Sequence, residues 1–212
     1  MNCCQCQGIE DTFNNQHVSR ELSRYRQRGP GKTTRILIEA LKKEGIQGLS
    51  LLDIGGGVGA IQHELLDAGA HDAIDVDASK AYIDAAREEA QRRGMAERVS
   101  FRHGNFVDAA TQIPPADIVT LDRVICCYPD MEKLVSLSVS RTRKLYGLVY
   151  PRDAWFLKIG FALMNLILRM QSNPFRIFPH STQAVEDLVT RHGFQRSFYK
   201  RTLVWQVVIF SH

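Results

Sequence analysis

Leu51-Leu52-Asp53-Ile54-Gly55-Gly56-Gly57-Val58-Gly59 joins an apolar run to a cluster of four glycines. The apolar run 49–54 reads as a buried strand, and a helix is predicted near 58–69. Between them, glycines let the backbone turn sharply and approach a ligand with no Cβ in the way. In open α/β sheets, ligands bind at such turns, outside the carboxyl ends of the strands.

Downstream of the glycines, the alternation continues. Strands are predicted at Ala73–Val76, Val99–His103, Ile118–Leu121 and Leu145–Tyr150, with helices near 79–93 and at Asp130–Lys144. Strands alternating with helices imply a parallel, doubly wound sheet with helices on both faces. The end of the chain differs. A helix at Thr182–His192 is closed by Gly193, and strands at Gln195–Lys200 and Leu203–Phe210 follow with almost no linker. So short a connection makes them antiparallel neighbours, which is unlike a plain dinucleotide-binding fold.

Upstream of the glycines, residues 1–15 read as an irregular tail. Residues 17–29 form a short helix anchored by Leu22 and Tyr25. Gly29-Pro30-Gly31 breaks it, and Thr33–Glu44 carries a helical stripe. This divides the chain into an N-terminal part, 1–48, covering the ligand site, and an α/β core, 49–212, with an insertion at about 151–180.

The 212 residues suit one α/β domain. The 27 basic residues are offset by 23 acidic ones, leaving +4, and no aromatics interleave with a basic run. Nucleic acid is therefore not expected as a partner. Met1–Asn15 lacks the apolar segment of a signal peptide, and the pairs Cys3–Cys4 and Cys126–Cys127 suit a disulfide framework poorly. A cytoplasmic setting is expected. Nothing in the sequence fixes the oligomeric state.

Two further strand ends carry ligand chemistry. The second gives Asp75-Val76-Asp77-Ala78-Ser79, where a carboxylate about 20 residues past the glycines can accept ribose hydroxyls. The third gives His103-Gly104-Asn105-Phe106, where an amide can pair with an adenine edge and a phenyl ring can cover it. The glycine loop alone is ambiguous, because Gly55-x-Gly57-x-x-Ala60 also satisfies the loose dinucleotide fingerprint. Taken singly, the loop could be a tight connection, Asp77 a helix N-terminal charge and Asn105 a turn former.

As a set, these segments resemble class I S-adenosylmethionine-dependent methyltransferases. Asp53-x-Gly55-x-Gly57-x-Gly59 looks like their first motif, Val76-Asp77-Ala78-Ser79 their second and Gly104-Asn105-Phe106 their third, with Asn105 in place of the commoner Asp. The resemblance implies a Rossmann-like, mostly parallel sheet of seven strands with a C-terminal antiparallel hairpin. It also implies S-adenosyl-L-methionine as the cofactor. Asp53, Gly55, Gly57 and Gly59 would then face its methionine part and Asp77 with Ala78 its ribose. Asn105 and Phe106 would face its adenine, and Asp122 would border the site.

The acceptor is less legible. Asp122-Arg123-Val124-Ile125-Cys126-Cys127-Tyr128-Pro129 leaves the fourth strand without the Asn/Asp-Pro-Pro-aromatic signature of enzymes that modify nucleic-acid amines. Its end is similar to the Asp-x-x-Ile-His-Tyr-Pro stretch of magnesium-protoporphyrin IX O-methyltransferases, with Cys127 in place of the histidine. A small or medium-sized, partly apolar acceptor methylated on oxygen or nitrogen is expected. Candidate catalytic groups are His180, Asp122 and Tyr25, with Tyr25 and His17 the weaker candidates, in an N-terminal segment that would close over the cofactor. A histidine has the intrinsic pKa to take a proton from a hydroxyl, although His180 could equally cap or pack. Arg152 and Arg176 bracket the insertion and could hold an acceptor carboxylate, or be solvated.

Within the insertion, Ala154–Met170 is largely apolar, with Lys158, Asn165 and Arg169 on one helical stripe. Three readings stand: a helix buried in the domain or in a dimer face, a lid over the acceptor, and a membrane-surface helix making peripheral contact through 154–170. The stretch is too short and polar for a span. Cys3-Cys4-x-Cys6 lacks a complete ligand set, so no metal is expected. Two rival functions remain, an NAD-dependent oxidoreductase and a non-catalytic cofactor-binding module.

Overall fold

The computed structural model describes residues 4–212, with side chains from residue 7 onward. Cys3 and the side chains of Cys4 and Cys6 lie outside that range. The core is a seven-stranded sheet: β1 (Leu51–Ile54), β2 (Ala73–Asp77), β3 (Val99–His103), β4 (Ala116–Asp122), β5 (Thr142–Pro151), β6 (Gln195–Arg201) and β7 (Trp205–Ser211). Their spatial order is β3-β2-β1-β4-β5-β7-β6. The first five strands run parallel, and β7 lies antiparallel between β5 and β6. The expected Rossmann-like α/β sheet with its C-terminal antiparallel hairpin is what forms.

Alternation along the strands feeds two cores. On one face Leu52, Ile54, Val119, Leu121, Leu148 and Phe210 pack with α6 (Phe106–Ala109), α7 (Met131–Val139) and α9 (Thr182–Arg191). On the other face Leu51, Ile118, Val207 and Ile209 pack with α3 (Lys32–Lys43), α4 (Ala60–Asp67) and α5 (Lys80–Arg92). A third, smaller cluster joins Val18, Leu22 and Tyr25 of α2 (Asn15–Arg28) to Val58 and Tyr82, so α2 lies against the glycine loop. β1 pairs with β2 on one side and β4 on the other. The sheet therefore reverses direction of growth beside the glycine loop, where a crevice opens.

The sequence reading fails in three places. Residues 4–12 form a helix, α1 (Cys4–Thr12), instead of an irregular tail. Tertiary contacts hold it: a Cβ at Gly8 would stand 2.3 Å from the Phe175 backbone nitrogen, so only glycine allows this approach. Glu10 accepts from the Lys80 amide at 3.0 Å. Second, the predicted helix 130–144 ends at Val139. Thr142 already pairs with Ala116 in the sheet, and its hydroxyl donates to the Ser138 carbonyl at 3.0 Å, closing the turn. Third, of the readings left open for the insertion, burial within the domain is the one that fails, since no residue of α8 (Trp155–Met170) is buried. No helix among the described residues is long and apolar enough to cross a membrane.

Candidate active site

One cavity of about 860 Å³ opens at the carboxyl ends of β1, β2 and β4. Its floor is the glycine loop. Gly55 and Gly57 adopt φ of 69° and 59°, a region L side chains rarely enter. A Cβ on Gly55 would meet Val124 Cγ2 at 2.4 Å, whereas one on Gly57 would meet nothing nearer than the Tyr82 ring at 3.8 Å. Gly57 thus leaves open volume on the cavity side. Gly56 is held from behind, where a Cβ would meet Gln62 Nε2 at 2.4 Å and Asp75 Oδ1 at 2.5 Å.

Asp77 ends β2 and braces this loop. Its Oδ2 accepts from the Gly57 amide at 3.1 Å and its Oδ1 from the Ser79 amide at 2.8 Å. Burial pushes its pKa up to about 6, and these two amide bonds oppose the rise. Each carboxylate oxygen keeps a lone pair for a ligand hydroxyl. Ala78 lines the cavity beside it.

Asn105 caps α6 by accepting from the Val107 amide at 3.2 Å, and its Nδ2 donates to Asp108 at 3.1 Å and to the Tyr128 hydroxyl at 3.3 Å. Phe106 is buried in the core, with part of its surface on the cavity wall. At the end of β4, Asp122 accepts from the Thr34 hydroxyl at 2.5 Å and pairs with Arg123 at 3.2 Å. Arg123 itself has φ 64°.

Thus Gly55, Gly57, Asp77, Ala78, Asn105, Phe106, Asp122 and Tyr25 all meet at one cavity, as does His17. Asp53, Gly59 and His180 do not line it. Asp53 is fully buried behind the loop, accepting from Thr120 at 2.6 Å and Gln62 at 3.3 Å, and burial raises its pKa to about 7. Gly59, φ 79°, starts α4 where a Cβ would strike His63 Cε1 at 2.6 Å. His180 Nε2 lies 2.9 Å from the Tyr128 carbonyl, its ring stacks on Phe178, and burial lowers its pKa. Tyr25 is buried, which raises its pKa and keeps the phenol neutral; its hydroxyl reaches Glu64 at 3.5 Å and Arg93 lies over its ring.

Several lining residues escaped the sequence reading. Phe13 follows α1 and meets Phe175 edge-on at 5.8 Å and Tyr82 at 5.6 Å, so the N-terminus and the insertion close together beside the cavity. Gly56, Thr34 and Trp205 also line it. Only Gly56 carried a sequence signal, as part of the glycine cluster; the others arrive from distant elements. Of the insertion aromatics, Phe161 reaches the cavity, whereas Trp155 and Phe156 are exposed. Arg152 donates to the Thr202 and Leu203 carbonyls, and Arg176 to those of Asn173 and Phe175. Among the described residues, no cluster of three or more His, Cys, Asp or Glu side chains could hold a metal.

Residues 46–176 match the family described as methyltransferase domain. No curated protein matches the sequence. Among solved structures, the chain is similar to magnesium protoporphyrin IX methyltransferase from Synechocystis with bound SAH, at 17% identity and TM-score 0.73, over 96% of this chain and 98% of that one. It is similar to an O-methyltransferase family protein from Burkholderia thailandensis, at 15% identity and TM-score 0.72, over 97% and 61%. A putative sarcosine dimethylglycine methyltransferase from Galdieria sulphuraria shares 13% identity and TM-score 0.66, over 85% of each chain. The glycine loop, the braced Asp77 and the 3-2-1-4-5-7-6 sheet stand together with a family match across more than half the chain: the protein belongs to the methyltransferase domain family and is an S-adenosylmethionine-dependent methyltransferase.

Proposed function

We propose that this methyltransferase acts on a small or medium-sized, partly apolar acceptor, on oxygen or nitrogen, in a cytoplasmic setting. The observation that carries this reading is the continuity of the cavity. The polar floor of Gly55, Gly57, Asp77 and Asn105 shares one volume with Phe161, Phe175, Ile177 and Trp205. Its size lies in the upper range for small-molecule sites.

The residues present fit the cofactor. Gly57 leaves a cradle that a Cβ would fill, and Asp77 offers two acceptor oxygens beside it. Asp77 and Ala78 would hold the ribose, and Asn105 and Phe106 the adenine. Gly55, Gly57 and the first turn of α3 would hold the amino-acid end. That turn lines the cavity, and its N-cap Gly31 provides no side-chain cap, so its N–H groups suit a carboxylate. Asp53 and Gly59 would act from behind, fixing the loop's shape. The bound sulfonium supplies an electrophilic methyl group.

The chain's own work is then positioning, exclusion of water and, for a hydroxyl or ammonium acceptor, removal of a proton. Asp122 is the candidate to take that proton, since its carboxylate stands on the cavity wall, oriented by Thr34 and Arg123. Tyr25, kept neutral by burial, would supply a hydrogen bond at most. His180 would hold the Cys126–Tyr128 segment through the Tyr128 carbonyl.

Incubation with methyl-labelled S-adenosylmethionine and a panel of apolar alcohols, carboxylic acids and amines tests this reading. Label is expected in at least one apolar compound and not in tRNA or duplex DNA. Incorporation confined to nucleic acid would overturn the small-molecule assignment.

A further inference from the structure

Helix α8 turns most of its apolar residues away from the domain. Leu157, Phe161, Asn165 and Leu168 are half-buried and face inward. Asn165 fixes this rotation by a double bond to one residue. Its Nδ2 donates to the Ile177 carbonyl at 2.7 Å and its Oδ1 accepts from the Ile177 amide at 2.8 Å. Helical spacing then sends Trp155, Ile159, Leu163, Leu166 and Met170 to the opposite side. They are exposed accordingly: Trp155 by 75%, Ile159 by 61%, Met170 by 79%. A second apolar projection stands beside the start of the helix. Leu203, 75% exposed, sits in the β6–β7 turn that Arg152 holds through the Thr202, Leu203 and Val204 carbonyls.

The charge around this face is predominantly positive. Residues 152–181 contain Arg152, Lys158, Arg169 and Arg176 against a single acid, Asp153, which Lys158 pairs at 2.6 Å. Exposed Lys200 and Arg201 lead into the Leu203 turn. An apolar face rimmed by cations complements one class of surface: anionic lipid, whose phosphates meet the basic rim while the apolar side chains enter the acyl boundary. A second copy of the chain fits less well. It would set the same cations against each other, and a helix of 16 residues, about 24 Å long and about 10 Å wide, covers far less than the roughly 800 Å² per partner of a stable dimer.

We propose that α8 and the Leu203 turn form a docking face for an anionic membrane surface, with the helix lying in the plane of the interface. Phe161, on the inner side of the same helix, lines the cavity. If the apolar-acceptor reading above holds, docking brings the cavity to where such an acceptor partitions; the docking itself does not rest on that reading.

The test is flotation of the full chain with vesicles of phosphatidylcholine alone or mixed with phosphatidylglycerol, without cofactor or acceptor. The wild type is expected to float with the anionic vesicles, with Trp155 emission shifting to the blue, and to release as salt is raised. The exposed double substitution Ile159→Glu/Leu166→Glu should reduce partition by about tenfold or more, and Lys158→Glu/Arg169→Glu should remove the preference for anionic lipid. Unchanged far-ultraviolet circular dichroism and cofactor affinity show that these variants fold. Absence of flotation with anionic vesicles, equal flotation with both vesicle types, or insensitivity to both double substitutions overturns the proposal. So does a wild-type dimer that Ile159→Glu/Leu166→Glu dissociates, which would assign the face to a second copy.

Discussion

Asp77 and Gly57 are joined across the crevice: the carboxylate at the end of β2 accepts the amide of the glycine loop at 3.1 Å. This bond ties the loop proposed to curve around the cofactor to the acid proposed to hold its ribose hydroxyls. Asp77→Ala is expected to weaken S-adenosylmethionine binding by about 1.5–3 kcal/mol, or about ten- to a hundredfold. Asp75→Asn, one alternate position back on the same strand, should change affinity much less. Asp75 is fully buried under the loop, where Gln62 and Gly56 approach its carboxyl without completing a hydrogen bond. Equal losses at the two positions, measured by calorimetry, would contradict this division.

Gly55 and Gly57 should respond differently to alanine. Both have positive φ, which costs an L residue about 1–2 kcal/mol. Only Gly55 adds a clash, with Val124, worth about 1–3 kcal/mol more. Gly55→Ala is therefore expected to lower the melting temperature further than Gly57→Ala, and Gly57→Ala to lose cofactor affinity in a protein that still folds. Thermal denaturation of both, with and without cofactor, checks the order.

How far the sequence carried can be judged at these same residues. The strand ends were legible because glycines, Asp77 and Asn105 mark turns and caps at fixed offsets from apolar runs, and the sheet followed from the alternation. Asp53 was readable as a motif position but not as a buried one. Its neighbours Thr120 and Gln62 lie 67 and nine residues away in the chain and meet it only after folding. Phe13, Phe175 and Trp205 gave no signal for the same reason. Helix α1 was hidden because Gly8, a poor helix former, is required by a backbone that approaches from residue 175.

The buried Asp53 makes a pH statement. Its folded pKa is raised to about 7, above the unfolded value, so its contribution to stability is fully present in acid and is lost as pH rises through about 7. His63, lowered to about 4, acts in the opposite sense, losing its contribution as pH falls. A comparison with Asp53→Asn leaves His63 in both proteins. From about pH 4 to about pH 8, the wild-type melting temperature is expected to fall relative to that of Asp53→Asn. A constant difference across this window would show that Asp53 does not titrate in the fold.

On the acceptor side, Phe161→Ala should raise the acceptor KM severalfold and leave cofactor affinity within about twofold, since Phe161 lines the cavity from the insertion helix and not from the strand ends assigned to the cofactor. Trp155→Ala, on the exposed side of the same helix, should leave both constants unchanged for an acceptor in solution. Steady-state kinetics with any acceptor found in the labelled-methyl panel distinguishes the two.

The crevice above Gly55–Gly57 is proposed to hold S-adenosylmethionine through Asp77. Calorimetric titration of the purified chain with S-adenosylhomocysteine, the demethylated product, tests it without knowledge of the acceptor. Saturable heat at one site per chain is expected, competed by S-adenosylmethionine, unaffected by NAD and weakened at least tenfold by Asp77→Ala. No heat with either sulfur ligand, or binding that Asp77→Ala leaves unchanged, would contradict the account.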